Sequence, residues 1–159
     1  MIKSVYLASP FFSPAQKERI AQVKAALEKN PTIDEKAIFV PHENEYTKAE
    51  FGSLEWQKAA FQLDTSQIDA SDVVVAIVDY KLEETKENEP DSGTAFEIGY
   101  AYATRTPVIV IQFDSEKEVN LMIAQGLTAY FDVTKEGLKA LEAYDFDLLM
   151  PKYCPRPVI

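Results

Sequence analysis

Two short stretches constrain this chain more than anything else: DVVVAIV at 72–78 and PVIVIQF at 107–113. Each is an apolar, largely β-branched run with no polar–apolar alternation. A strand with one wet face alternates. A run that does not alternate is covered on both faces, as in a parallel sheet between two layers of helices. A third run, SVYLAS at 4–9, is stopped by Pro10 and reads as another strand.

Helical patterns fill the intervals. Ser13-Pro14 supplies an N-cap and a first-turn proline, and Ile20, Val23, Ala26 and Leu27 follow at helical spacing to about residue 29, where Asn30-Pro31 ends the helix. A short strand is expected at 37–40 and a polar loop at 42–52. A helix at 54–68 carries Trp56, Ala59, Ala60, Leu63 and Gln67 around one side. A charged loop at 81–89, a helix from 92 to about 104 and a short helix at 119–126 come next. A last strand at 128–133, a last helix at 135–143 and an extended Pro-rich tail at 151–159 complete the chain. The pattern predicts one α/β domain over 1–159. Its mostly parallel sheet has about five strands flanked by helices, flavodoxin-like or Rossmann-like. Sites in such sheets lie beyond the carboxyl ends of the strands, here at 8–12, 41–46, 79–91 and 112–120.

Composition narrows the chemistry. With 16 basic against 26 acidic residues the net charge is −10, which disfavours nucleic-acid polymers and anionic membranes as partners. One cysteine, Cys154, makes no internal disulfide, and with one histidine, His42, it builds no His/Cys zinc site. No G-x-G-x-x-G or P-loop glycine pattern is present, and no apolar run approaches a membrane span. The start Met1-Ile2-Lys3 carries no signal-peptide pattern, so the cytoplasm is the expected location, and no metal or cofactor is expected. Carboxylates remain the most plentiful candidate groups.

Glu97 sits in the apolar stretch AFEIGYAYA. A carboxylate drawn into such surroundings is desolvated and needs a partner, which suits a nucleophile or an acid–base group, whereas on a wet stripe it is an ordinary surface glutamate. Asp91 is either the cap of the same helix or a second carboxylate aimed at the same pocket. Two carboxyl groups in different environments divide labour, one attacking a sugar carbon and one protonating the leaving group. Asp64 interrupts an apolar pattern, as a solvated residue or as a third acid. Tyr6, in the first strand, is a core aromatic or a phenol donating to a carboxylate. Phe11 and Phe12 end that strand, either packing in the core or stacking on a flat ligand. Asn120 either caps a helix or holds a sugar hydroxyl. His42 is expected at the surface.

Together these residues resemble the nucleoside 2-deoxyribosyltransferase family. The resemblance runs through YLASPFFSPAQKERI at 6–20, ALEKNPTID at 26–34, FVPHENEY at 39–46, DSGTAFEIGYA at 91–101 and VNLMIAQG at 119–126. The wording SPFFS-AQ-ER, AFEIG and NLMIAQG is most similar to the purine-preferring, type I branch. The resemblance implies transfer of 2-deoxyribose between bases by a retaining double displacement. Glu97 would be the nucleophile, and Tyr6 would orient it. Asp64 and Asp91 would face the base, one of them protonating it. Phe11 and Phe12 would wall the base site, and Glu45 would stand at a loop position that is often glutamine. Asn120 and the Met122 region would contact sugar in a neighbouring subunit's pocket. It also implies a homo-oligomer, a hexamer built as a trimer of dimers, acting on deoxynucleosides and free nucleobases. The chain ends Pro157-Val158-Ile159, where the relatives end in tyrosine. The alternatives are an N-glycosidase acting on nucleosides or deoxynucleoside 5′-monophosphates, and a non-catalytic nucleotide-sensing module.

Overall fold

A computed structural model describes residues 1–78, 90–114 and 116–158. The expected loop at 81–89 and the terminal Ile159 lie outside the described residues. The strands are β1 (Lys3–Ala8), β2 (Ile33–Phe39), β3 (Val73–Ile77), β4 (Val108–Gln112) and β5 (Ala129–Asp132). The helices are α1 (Pro14–Glu28), α2 (Leu54–Ala70), α3 (Ser92–Ala103), α4 (Leu121–Gly126), α5 (Val133–Glu136) and α6 (Lys139–Ala143). The five strands form one sheet in the order β2-β1-β3-β4-β5, every pair parallel.

The non-alternating runs behave as their pattern requires. Every residue of β3 and β4 is buried. Their side chains divide by parity between two cores. On one face Val75, Ile77, Ile109 and Ile111 pack with Ile20, Val23 and Leu27 of α1 and Leu141 of α6. On the other face Tyr6, Val74, Ala76 and Val110 pack with Ile68 of α2, Ile98 and Ala101 of α3 and Ile123 of α4. Connections therefore leave β1 toward one side and enter β3 from the other, so β1 and β3 flank the topological switch point. Tyr6 lies on the α2–α3 face.

Local signals set the helix starts. Ser13 caps α1 in a reciprocal capping box with Gln16. Ser53 caps α2, Asp91 caps α3 and Asn120 caps α4. Two elements differ from expectation. β2 begins at Ile33 rather than 37, through the charged run Asp34-Glu35-Lys36. It is an edge strand, where charge on the outer positions is tolerated. The expected helix at 135–143 is two helices, parted at Gly137, whose φ of 66° lies in the left-handed region. The tail pairs Lys152 with Ala129 and Val158 with Val119.

Candidate active site

At the switch point, Ser9, Phe11 and Phe12 leave the carboxyl end of β1 and form one wall of a cavity of about 220 Å³. The loop after β2 supplies Glu45, Tyr46 and Phe51. The α2 helix adds Trp56, Ala60, Leu63 and Asp64, which share one helical face by their spacing, and α3 adds Glu97. Two aromatic pairs shape the space: Phe11 stacks on Phe12 at 5.3 Å, and Phe51 packs on Trp56 at 4.5 Å. Apolar walls with a few convergent polar groups are the ordinary form of a small-molecule site.

The polar centre is Glu97. The Tyr6 phenol, fully buried in β1, donates to Glu97 Oε1 at 2.5 Å. The phenol is held by packing, since its ring stacks on Phe39 at 5.6 Å. Burial raises the Glu97 carboxyl to about 7; the Tyr6 hydrogen bond pulls it down, and the charges of Asp64 and Asp91 push it up. Burial alone raises Asp64 to about 6. Burial first, then the charges of Glu97 and Asp64, push the Tyr6 phenol far above its ordinary value, so it remains a donor. Near neutrality Glu97 is therefore divided between an ionised, nucleophilic form and a protonated one, beside an acid that titrates just below it.

The structure brings most of the sequence candidates together. Glu97, Asp64, Phe11, Phe12 and Glu45 line one cavity, and Tyr6 stands behind Glu97. Asp91 is buried and caps α3, its Oδ2 accepting from the Thr94 N–H at 3.0 Å, and its charge also reaches Glu97. Asn120 and Met122 lie elsewhere. Asn120 caps α4 by accepting from the Met122 N–H at 2.9 Å. Met122 is 77 % exposed and joins Leu121, Ile98 and Tyr102 around a separate depression between α3 and α4. His42 is half-buried rather than superficial and stacks on Phe11 at 5.6 Å. Sequence reasoning missed Tyr46, Phe51 and Trp56 as lining groups. The signal for the first two was their place in the loop beyond β2; for Trp56 it was the helical side that it shares with Ala60 and Leu63. Among the described residues no cluster of His, Cys, Asp and Glu is placed to hold a metal, and no helix is long and apolar enough to cross a membrane.

The sheet is doubly wound and parallel, and at its switch point a desolvated carboxylate is held by a phenol in an aromatic cleft, the arrangement of an α/β protein with a small-molecule site. Comparison with known proteins makes the class specific. The nucleoside 2-deoxyribosyltransferase family model matches residues 5–137. A nucleoside deoxyribosyltransferase from Limosilactobacillus fermentum is 35% identical over 140 residues, covering 80% of this chain and 78% of that protein. A 2-deoxyribosyltransferase from Bacillus psychrosaccharolyticus superposes with a TM-score of 0.79 at 32% identity, covering 95% of this chain and 98% of that one. A CMP N-glycosidase from Clostridium botulinum, 21% identical with a TM-score of 0.55, shares the fold. The chain belongs to the nucleoside 2-deoxyribosyltransferase family, a family of enzymes.

Proposed function

We propose that this enzyme moves 2-deoxyribose between nucleobases, purines preferred, through a covalent deoxyribosyl ester on Glu97. The observation that carries the reading is the 2.5 Å Tyr6–Glu97 hydrogen bond, whose carboxylate lines an aromatic cavity. The Glu97 carboxylate attacks the anomeric carbon of the bound deoxynucleoside, and the C–N bond to the base breaks. The departing nitrogen takes a proton from Asp64, which lines the cavity and holds its proton to higher pH than an exposed aspartate. A second base then attacks the same carbon from the face the first one left, displacing Glu97 and returning its proton to Asp64. Two inversions give net retention. The aromatic pairs accommodate either base by stacking, and the preference for purines rests on the wording of three stretches, SPFFS-AQ-ER, AFEIG and NLMIAQG.

The charges around the cavity favour a nucleoside over its monophosphate. Glu45, Asp64 and Glu97 all line it, and no described lining residue is Lys or Arg. In this reading the enzyme acts in the cytoplasm as a homo-oligomer, a hexamer built as a trimer of dimers. The exposed Phe96, Tyr102, Leu121 and Met122 suit cover by a second copy, which would bring Asn120 and Met122 toward a neighbouring site. The test mixes a deoxynucleoside with a second base, purine and pyrimidine acceptors separately, and follows the exchanged nucleoside. Exchange supports the reading. Release of base without exchange, both bases saturating, replaces it with an N-glycosidase.

A further inference from the structure

The Phe11–Phe12 wall is fixed by a side chain that stands outside the cavity. Gln16, in the first turn of α1, is 1 % exposed. Its Oε1 accepts two backbone N–H groups, from Phe12 at 2.7 Å and from Ser13 at 3.1 Å. Its own backbone N–H donates to Ser13 Oγ at 3.1 Å. One carbonyl oxygen with two lone pairs thus takes up two consecutive peptide donors at the turn between β1 and α1. Those donors belong to the residues that orient the Phe12 ring, and Phe12 stacks on Phe11. Phe11 also stacks on His42. A ring contact to Phe11 and a carbonyl that accepts from the Phe12 backbone thus both bear on the wall. Glu97 and Tyr6 lie on other elements and share none of these bonds.

We propose that Gln16 is a positioning residue for nucleobase binding: through Oε1 it sets the Phe11–Phe12 stacking wall, and so governs the KM for the base while leaving the chemistry at Glu97 unchanged. A capping glutamine with no such role would alter stability and leave base affinity unmoved. This inference rests on the exchange reaction proposed above. If the wall is misplaced, part of the stacking on the base is lost, and base–aromatic stacking is strong enough for an effect of about tenfold.

The experiment uses the full-length chain and three variants. Gln16→Leu removes the acceptor at similar size, Gln16→Asn withdraws it by one methylene, and Gln16→Glu retains it in the capping-box position. Each is measured for acceptor-base KM and kcat in the exchange assay, and for direct binding of adenine by calorimetry. The expected result is a KM and a dissociation constant raised about tenfold in Gln16→Leu and Gln16→Asn, kcat within about twofold, and Gln16→Glu close to the unaltered chain. If Gln16→Leu does not fold, Gln16→Asn carries the same expectation. Unchanged base affinity in the folded variants overturns the proposal, as does a fall in kcat without a rise in KM or a failure of Gln16→Glu to restore affinity. Absence of exchange in the unaltered chain overturns the transferase reading instead, and the adenine affinities then judge Gln16 alone.

Discussion

Replacing Tyr6 by phenylalanine removes one hydroxyl and little else. The ring is fully buried and stacked on Phe39, so phenylalanine keeps the packing. What disappears is the 2.5 Å hydrogen bond to Glu97. A hydrogen bond to a charged group contributes about 1.5–3 kcal/mol. At about 1.4 kcal/mol per pKa unit, its loss raises a carboxyl by roughly 1–2 units. Glu97 already titrates at about 7 because burial penalises its charge, and the phenol is the interaction that lowers it. Without the phenol the ionised fraction at pH 7 falls from about half to roughly 1–10%. Exchange at pH 7 should drop about 5- to 50-fold relative to the unaltered chain, and the ratio of the two rates should return toward one as the pH is raised past 9. The assay is kcat/KM for base exchange by both proteins between pH 5 and 10. A deficit that shrinks as the pH rises supports the argument. The same loss at every pH refutes it, because the phenol would then act on something other than the carboxylate's charge.

Two further substitutions have opposite signatures. Asp64→Asn removes a negative charge that pushes Glu97 up, so the acidic limb should move down while the maximal rate falls by about 10²-fold or more for want of a proton donor. A pH–rate profile showing an upward shift would contradict it. Glu97→Gln bears on stability. The folded carboxyl titrates at about 7 against an ordinary 4.5, so its contribution is fully present below 4.5 and is lost as pH rises through 7. The glutamine variant should therefore be more resistant to urea than the unaltered chain at pH 8, by about 3 kcal/mol, with the gap closing toward pH 4. Equal midpoints at pH 8 would show that the ionised carboxylate carries no such cost.

The parts of the fold that were legible in sequence are those fixed by burial. The runs at 72–78 and 107–113 lack alternation because both faces are covered, and β3 and β4 fall inside them. β2 was read late because its first half, Asp34-Glu35-Lys36, is charged, and an edge position permits what a central strand would not. The split between α5 and α6 depends on the backbone angle of Gly137, which spacing alone does not reveal. Of the site, Glu97 and Asp64 were visible as acids in apolar helices. Their convergence with Tyr6 depends on which face of the sheet the phenol takes, a matter of parity in β1. Trp56 was placed only on one side of its helix, because a cavity wall and a core face share the same helical spacing. Asn120 could be read from sequence as a helix cap or as a sugar contact; the cap to the Met122 N–H is in place, and a contact in a neighbouring subunit's pocket is not legible from one chain.

The central claim is that Glu97 becomes covalently attached to the sugar. The direct measurement incubates the enzyme with a slow 2-fluoro-2-deoxy nucleoside analogue, digests it and locates the mass gain by fragmentation. The account predicts one fluoro-deoxyribosyl adduct on Glu97, absent in Glu97→Ala and discharged when a purine base is added. An adduct on Asp64, Asp91 or any other residue, or base exchange by Glu97→Ala at the rate of the unaltered chain, would contradict it.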